Sequence, residues 1–198
     1  MSAIITTILN YIKAITQYTD NFQAYTVGSL GGQGLWEPGL NSVAVEDVTG
    51  NKMAAPGRTL NTDSCVFVNQ AFSNNQWAQI VIKKGLANCI GVALRCNNGQ
   101  YYAAYASSTA VYVGRVMAST WVDLDHASTT INDNDVLYMS VIGTTLKILV
   151  NGSPISTLGN VSGEITDANI SSGAIGISAW YDNNTTSNRG EDFSGGSL

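Results

Sequence analysis

Residues 89–106 read CIGVALRCNNGQYYAAYA, and the alternation in this stretch decides the fold. Ile90, Val92 and Leu94 recur every second residue, which puts them on one face of a strand and Arg95 on the other. The second half alternates as well: Tyr101, Ala103 and Tyr105 share a face, while Tyr102 points the opposite way. Between the halves, Asn97-Asn98-Gly99 supplies residues that tolerate positive φ, so the chain turns there. Working outward, the same period of two appears at 64–72 and 77–84 upstream, and at 110–117, 135–142, 145–150 and 173–180 downstream. Turn clusters separate these runs, among them Ser73-Asn74-Asn75, Asn132-Asp133-Asn134, Asn151-Gly152 and Ser171-Ser172-Gly173. So many strands with no helices between them predict an all-β antiparallel sandwich rather than a parallel sheet.

Composition agrees. Of 198 residues 44% are hydrophobic but only 12% charged, roughly half the usual share. The net charge of −5 argues against nucleic acid, whose phosphates require a basic face. There is too much apolar material for a disordered chain, and enough for one sizeable core. The three cysteines cannot all pair within the chain. Cys89 and Cys96 lie seven apart on one strand, so their side chains are expected on opposite faces. All three are expected to be buried thiols, in a protein made in a reducing compartment.

Only the first residues break the pattern. Residues 2–18 read as an amphipathic helix, with Ile5, Ile8, Ile12 and Ile15 at 3-4-3 spacing. Isoleucine at both seam positions favours three-stranded or higher assembly, so a homotrimer is expected. The alternative is a helix docked on its own domain. Asn10 and Lys13 interrupt the apolar run, which is too short to span a bilayer, and neither a basic leader nor a small-residue cleavage site is present. No membrane insertion and no secretory signal are therefore expected. The division is residues 1–19 as an oligomerisation or docking helix and 20–198 as the β domain.

The order of several segments resembles the concanavalin A-like lectin/glucanase superfamily, which includes laminin-G-like modules. The residues concerned are Asp20-Asn21-Phe22, Gly28 to Gly32 with Trp36, Asn74 to Ile80, Gly91 to Arg95, the Tyr101-Tyr102 pair, Gly143 to Gly152, Gly173 to Ile177, and Glu191-Asp192-Phe193. The resemblance spans residues 20–198 and implies a jelly-roll sandwich whose first and last strands lie side by side, pairing Phe22 with the Asp192-Phe193 segment. Short members with a leading helix and a neutral polar surface resemble bacteriophage virion proteins.

Glycosidases of that superfamily carry carboxylates in an E-x-D-x-E arrangement, which this chain lacks. Its only acidic pairs at i, i+2 are Asp123/Asp125 and Asp133/Asp135. Trp121 and the sole histidine, His126, flank the first pair, which reads mainly as a solvated loop face. No nucleophile elbow accompanies His126, and Gly31-Gly32-Gln33-Gly34 does not lead from a strand into a helix, so no phosphate cradle is expected. No catalytic residue is assigned and no cofactor is expected. The resemblance allows a structural calcium held by Asp20 and Asp192, with Asp133 and Asp135 as a second option. Turn hydrogen bonding by these side chains is the alternative.

Sugars present apolar C–H faces rimmed by hydroxyls, so aromatic rings beside planar polar groups are the residues to seek. Tyr102, Tyr112 and Trp180 belong to the wider set. The candidate glycan-binding residues are Arg95, Tyr101, Tyr105, Trp121, Tyr181, Asp182 and Asn183. The alternative is that these aromatics fill the core or subunit contacts.

The expectation is a non-enzymatic virion surface protein, a capsid decoration or tail/fibre component made in the host cytoplasm. Its partners would be copies of itself, other virion proteins and glycans. A free lectin-like module and a polysaccharide-cleaving domain are the alternatives.

Overall fold

The computed structural model describes residues 17–57, 62–85, 88–97, 99–160, 162–182 and 187–198. The isoleucines Ile5, Ile8, Ile12 and Ile15 lie outside the described residues, as does the helix read over 2–18 apart from its last two positions. Gln17 and Tyr18 are not helical but open the first strand.

Seventeen strands are described: β1 (Gln17–Asp20), β2 (Gly28–Ser29), β3 (Trp36–Leu40), β4 (Val43–Val48), β5 (Asn51–Pro56) and β6 (Thr62–Val68). There follow β7 (Gln76–Lys83), β8 (Cys89–Asn97), β9 (Gln100–Ala106), β10 (Ala110–Met117), β11 (Thr120–Ser128) and β12 (Val136–Ile142). The last are β13 (Thr145–Val150), β14 (Ser153–Pro154), β15 (Glu164–Thr166), β16 (Ala174–Tyr181) and β17 (Arg189–Ser197). They form two antiparallel sheets, a jelly-roll sandwich. One sheet runs β14-β13-β12-β7-β17-β5-β4-β2, with β1 added on β17 and β15 on β13. The other has seven strands in the order β11-β10-β9-β8-β16-β6-β3.

Alternation fills the space between the sheets. Ala78, Ile80 and Ile82 of β7 and Leu137, Met139 and Val141 of β12 meet Ile90, Val92 and Leu94 of β8 and Ile175, Ile177 and Ala179 of β16. Each such fully buried aliphatic side chain contributes about 1.5–3 kcal/mol relative to exposure. The first and last strands pair, but in a register other than the one expected. Asp20, not Phe22, stands opposite Phe193, because Phe22 has already left the strand with φ 63. Phe22 still packs into an aromatic group with Tyr18, Trp36 and Phe193.

Three further expectations change. Residues 120–128 form a strand, not a loop. As the last strand of its sheet β11 is mostly exposed, so burial imposes no apolar alternation on its sequence. Cys89 and Cys96 join the same cluster, on the outer face of the seven-stranded sheet, because a register shift between Leu94 and Asn97 resets the alternation. Cys96 Sγ thereby lies 3.7 Å from Cys65 Sγ, and all three thiols are free and buried. Arg95, the residue at that shift, adopts φ 53 and does not point into solvent.

Asp167 and Glu191 tie loops to the sheets. Burial pushes the Asp167 carboxyl up, but the Asn169 amides, the Tyr102 hydroxyl and Arg115 outweigh it and hold it below the usual carboxylate range. Glu191 is likewise lowered, by Asn51 and Lys83 against its own burial. Groups depressed in the folded state stabilise it above their unfolded pKa, and that contribution is lost as pH falls through the folded-state values. The melting temperature is therefore expected to fall steadily below about pH 4. In Asp167→Asn the baseline should be lower and the fall shallower. A scan in which the variant parallels the parent would remove Asp167 from this account.

Candidate functional site

The outer face of the seven-stranded sheet carries a second apolar cluster: Cys65, Cys89, Ala93, Cys96, Tyr101, Ala103, Tyr105 and Val116. Antiparallel register arranges its neighbourhood in rows. Asp63, Trp180 and Cys89 stand opposite one another on β6, β16 and β8. In the next row Gly91, Tyr105, Tyr112 and His126 follow one another from β8 to β11. A third row is small throughout its middle, with Gly176, Ala93, Ala103 and Gly114. Gly114 has to be small: a Cβ there would lie 2.4 Å from the Trp121 ring and 2.6 Å from the Val122 carbonyl. The space it leaves lets Trp121 stack on Tyr105, ring centroids 4.9 Å apart and 29° from parallel.

The first two rows border an open pocket of about 440 Å³, within the range of small-ligand sites. Tyr105, Tyr112, Trp121 and Trp180 form its aromatic lining; Asp63, Asn88, Ser107, Ser108, Thr109 and Asp182 supply polar groups. Tyr105 is fixed at both ends, by the Trp121 stack and by its hydroxyl donating to Asp63 Oδ1 at 2.9 Å. Burial pushes the Tyr105 hydroxyl far up, so it remains a donor. Asn88, in the left-handed conformation that Asn tolerates, accepts the Asp182 amide at 2.7 Å and donates to Ser187 Oγ at 2.6 Å. The Ser107 hydroxyl accepts the Ala110 amide at 2.9 Å and closes the 107–110 turn. Side chains locked in this way lose little freedom when a ligand arrives, which favours binding.

The sequence candidates separate. Tyr105, Trp121 and Asp182 converge on the pocket. Tyr101 shares the Tyr105 face but is buried away from the lining. Tyr181 follows Trp180 on β16 and so takes the other face. Asn183 lies outside the described residues. Arg95 is 3% exposed and fully engaged: Nε donates to Asn74 O, Nη1 to Ile170 O and Nη2 to Gly143 O, at 3.0, 2.6 and 2.7 Å. Asp63 and Asn88 were not legible as site residues, because neither stands in a motif and cross-strand register alone brings them to Trp180 and Tyr105.

Asp20 and Asp192 do border one cleft. Asp20 Oδ2, however, accepts from the Tyr18 and Tyr25 hydroxyls and the Trp36 indole, and Oδ1 from the Phe22 amide. Asp135 accepts from the Asn132 amide and the Asn151 side chain, and Asp133 from the Lys84 amide. Among the described residues no group of three or more His, Cys, Asp or Glu is placed to hold a metal ion. Asp123 and Asp125 flank a register shift, where β10 passes from Val113 to Gly114. Asp123 meets the His126 ring at 3.1 Å, while Asp125 accepts the amides of His126 and Gly159.

The architecture is a jelly-roll sandwich, consistent with the fold that the concanavalin A-like resemblance of the sequence implies. It is similar to the carbohydrate-binding module CBM66 from Bacillus subtilis, with TM-score 0.63 and 14% identity over 85% of this chain and 99% of that one. The CBM2 module of the evolved Dit of Lactobacillus casei BL23 phage J-1 superposes at 0.53 with 14% identity, covering 92% and 96%. The apo Crh5 transglycosylase superposes at 0.55 with 9% identity, covering 94% and 86%. No protein-family model and no curated protein matches the chain.

Proposed function

We propose that the protein is a non-enzymatic carbohydrate-binding module that holds a saccharide in the Trp121–Trp180 pocket. One observation carries this reading: four aromatic rings and two carboxylates line a single pocket, with its central tyrosine fixed at both ends. Aromatic faces match the C–H faces of sugar rings, and carboxylates accept from the hydroxyls at their rim. The acidic pair Asp123/Asp125 is spent on His126 and backbone amides, which argues for binding rather than hydrolysis. Purified protein on a broad glycan array is expected to retain a limited set of saccharides, with tryptophan fluorescence changing on titration and chain length of the bound polysaccharide unchanged. An empty array would defeat the reading. Progressive shortening of the bound polysaccharide would replace it with an enzymatic one.

A virion setting, as capsid decoration or tail/fibre component assembled through the N-terminal isoleucines, is the second reading. The likeness to a module of a phage Dit across 96% of that module supports it. A free module with the same pocket has equal support from the fold. Light scattering separates them: a mass of three chains favours the assembled form, and a mass of one the free module.

A further inference from the structure

Among the described residues eleven line the pocket, and of these two are carboxylates and none is Lys, Arg or His. Asp63 is 7% exposed, and its carboxylate accepts one hydrogen bond, from the neutral Tyr105 hydroxyl. Burial holds its carboxyl above the ordinary value, and both Asp63 and Asp182 contribute, after burial, to pushing the Cys89 thiol up to about 12. The two acids thus act on the same small volume. Among the described residues, His126, which stacks on Tyr112, meets Asp123, Arg115 pairs with Asp167, and Arg95 is held by three backbone carbonyls. A charge removed from water and left without a counter-charge is costly, and an incoming cation relieves that cost where an anion adds to it.

Resting on the saccharide reading above, we propose that this pocket ranks its ligands by charge: an amine-bearing sugar unit binds tightest, a neutral unit less tightly, and an acidic unit is rejected. The sugar ring lies against Trp121 and Trp180, and its ammonium group faces Asp63 and Asp182. Acetylation of the amine removes the charge while keeping the ring, and a uronate reverses the sign on a similar ring. Selection therefore comes from the carboxylates and affinity for the ring from the aromatics.

The test is calorimetric titration of the full chain with three oligosaccharides of equal length, made of glucosamine, N-acetylglucosamine or galacturonate. The pH is set so that the amine is charged and the carboxylates are ionised. Affinity is expected to fall about tenfold or more at each step of that series. In Asp63→Asn and Asp182→Asn, both close in shape to the parent, the steps between the three oligomers should shrink to about twofold, whatever loss of affinity the three share. Equal affinity for all three, tighter binding of the galacturonate, or a series unchanged in both variants overturns the ranking and leaves the saccharide reading standing. Silence from all three overturns the ranking, and an empty glycan array beside it overturns the saccharide reading too.

Discussion

Arg95→Met is expected to lower stability by about 3–5 kcal/mol, from about 1–3 kcal/mol for each buried carbonyl left without its donor. For a chain of this length that corresponds to a melting temperature lower by roughly 10 °C. The reason is the number of segments one side chain joins. Its guanidinium reaches Asn74 ahead of β7, Gly143 in the β12–β13 turn and Ile170 ahead of β16, and its own amide donates to Gln76 Oε1 at 3.0 Å. Gln76 in turn donates to the Gly173 carbonyl. Methionine fills much of the volume but leaves three carbonyls without their donor, each a desolvated acceptor. Arg95→Lys should recover only part of the loss, since an ammonium cannot present the planar fork that meets three carbonyls at once. The exposed pair Lys147–Glu164, at 3.7 Å, gives the scale of an ordinary surface contact, and Lys147→Met should cost under about 1 kcal/mol. Chemical denaturation of the three variants measures these differences. A cost for Arg95→Met no larger than that for Lys147→Met would sink the account.

Arg95 also marks where sequence reading stops. Period-two counting found the β8–β9 pair and placed Ile90, Val92 and Leu94 inside, because those strands are regular there. One register shift after Leu94 then reversed the faces of everything beyond it, so Arg95 and Cys96 were assigned to the wrong sides. Counting cannot detect a bulge whose residues carry no turn signature. The last strand, expected from the superfamily resemblance, is invisible to alternation for a different reason. Its sequence, RGEDFSGGS, has one large apolar side chain, yet it runs between β7 and β5 with Phe193 buried. Its glycines answer to packing: a Cβ at Gly190 would lie 2.2 Å from Ile80, and one at Gly195 2.7 Å from the Trp77 carbonyl. Close approach to the neighbouring strand selects glycine, and glycine erases the hydrophobic pattern by which strands are recognised.

The site was legible in the same uneven way. Tyr105 could be read on a shared face with Tyr101 from local alternation, whereas Trp121 stands in a stretch that reads as a loop and is picked out by residue type alone. The acids that give the pocket its sign could be read only in part, since Asp182 follows Trp180 in sequence while Asp63 reaches it from β6, more than a hundred residues away. A strand sequence reports which face a residue takes. It does not report which distant residue stands beside it on that face.

That distinction sets the second large effect, on Trp180→Ala. Trp180 occupies the middle of the row Asp63–Trp180–Cys89, so its ring joins the acidic side of the pocket to the aromatic side. Truncating a central aromatic anchor costs about 2 kcal/mol or more, a loss of roughly thirtyfold or greater in affinity for the saccharide the array identifies. The matched control is on the other sheet. Trp77 and Tyr138 stack there with centroids 6.1 Å apart, as partly exposed neighbours on β7 and β12. Tyr138→Ala removes an aromatic of similar exposure without touching the pocket, and affinity should stay within about twofold of the parent. Both variants keep the buried core intact, so each should retain a cooperative melt and be compared in the folded state. Titration followed by tryptophan fluorescence, with calorimetry for Trp180→Ala, gives the two affinities. If Tyr138→Ala loses the saccharide and Trp180→Ala keeps it, the sugar lies on the ten-stranded sheet, and Asp63 and Asp182 have no part in choosing it.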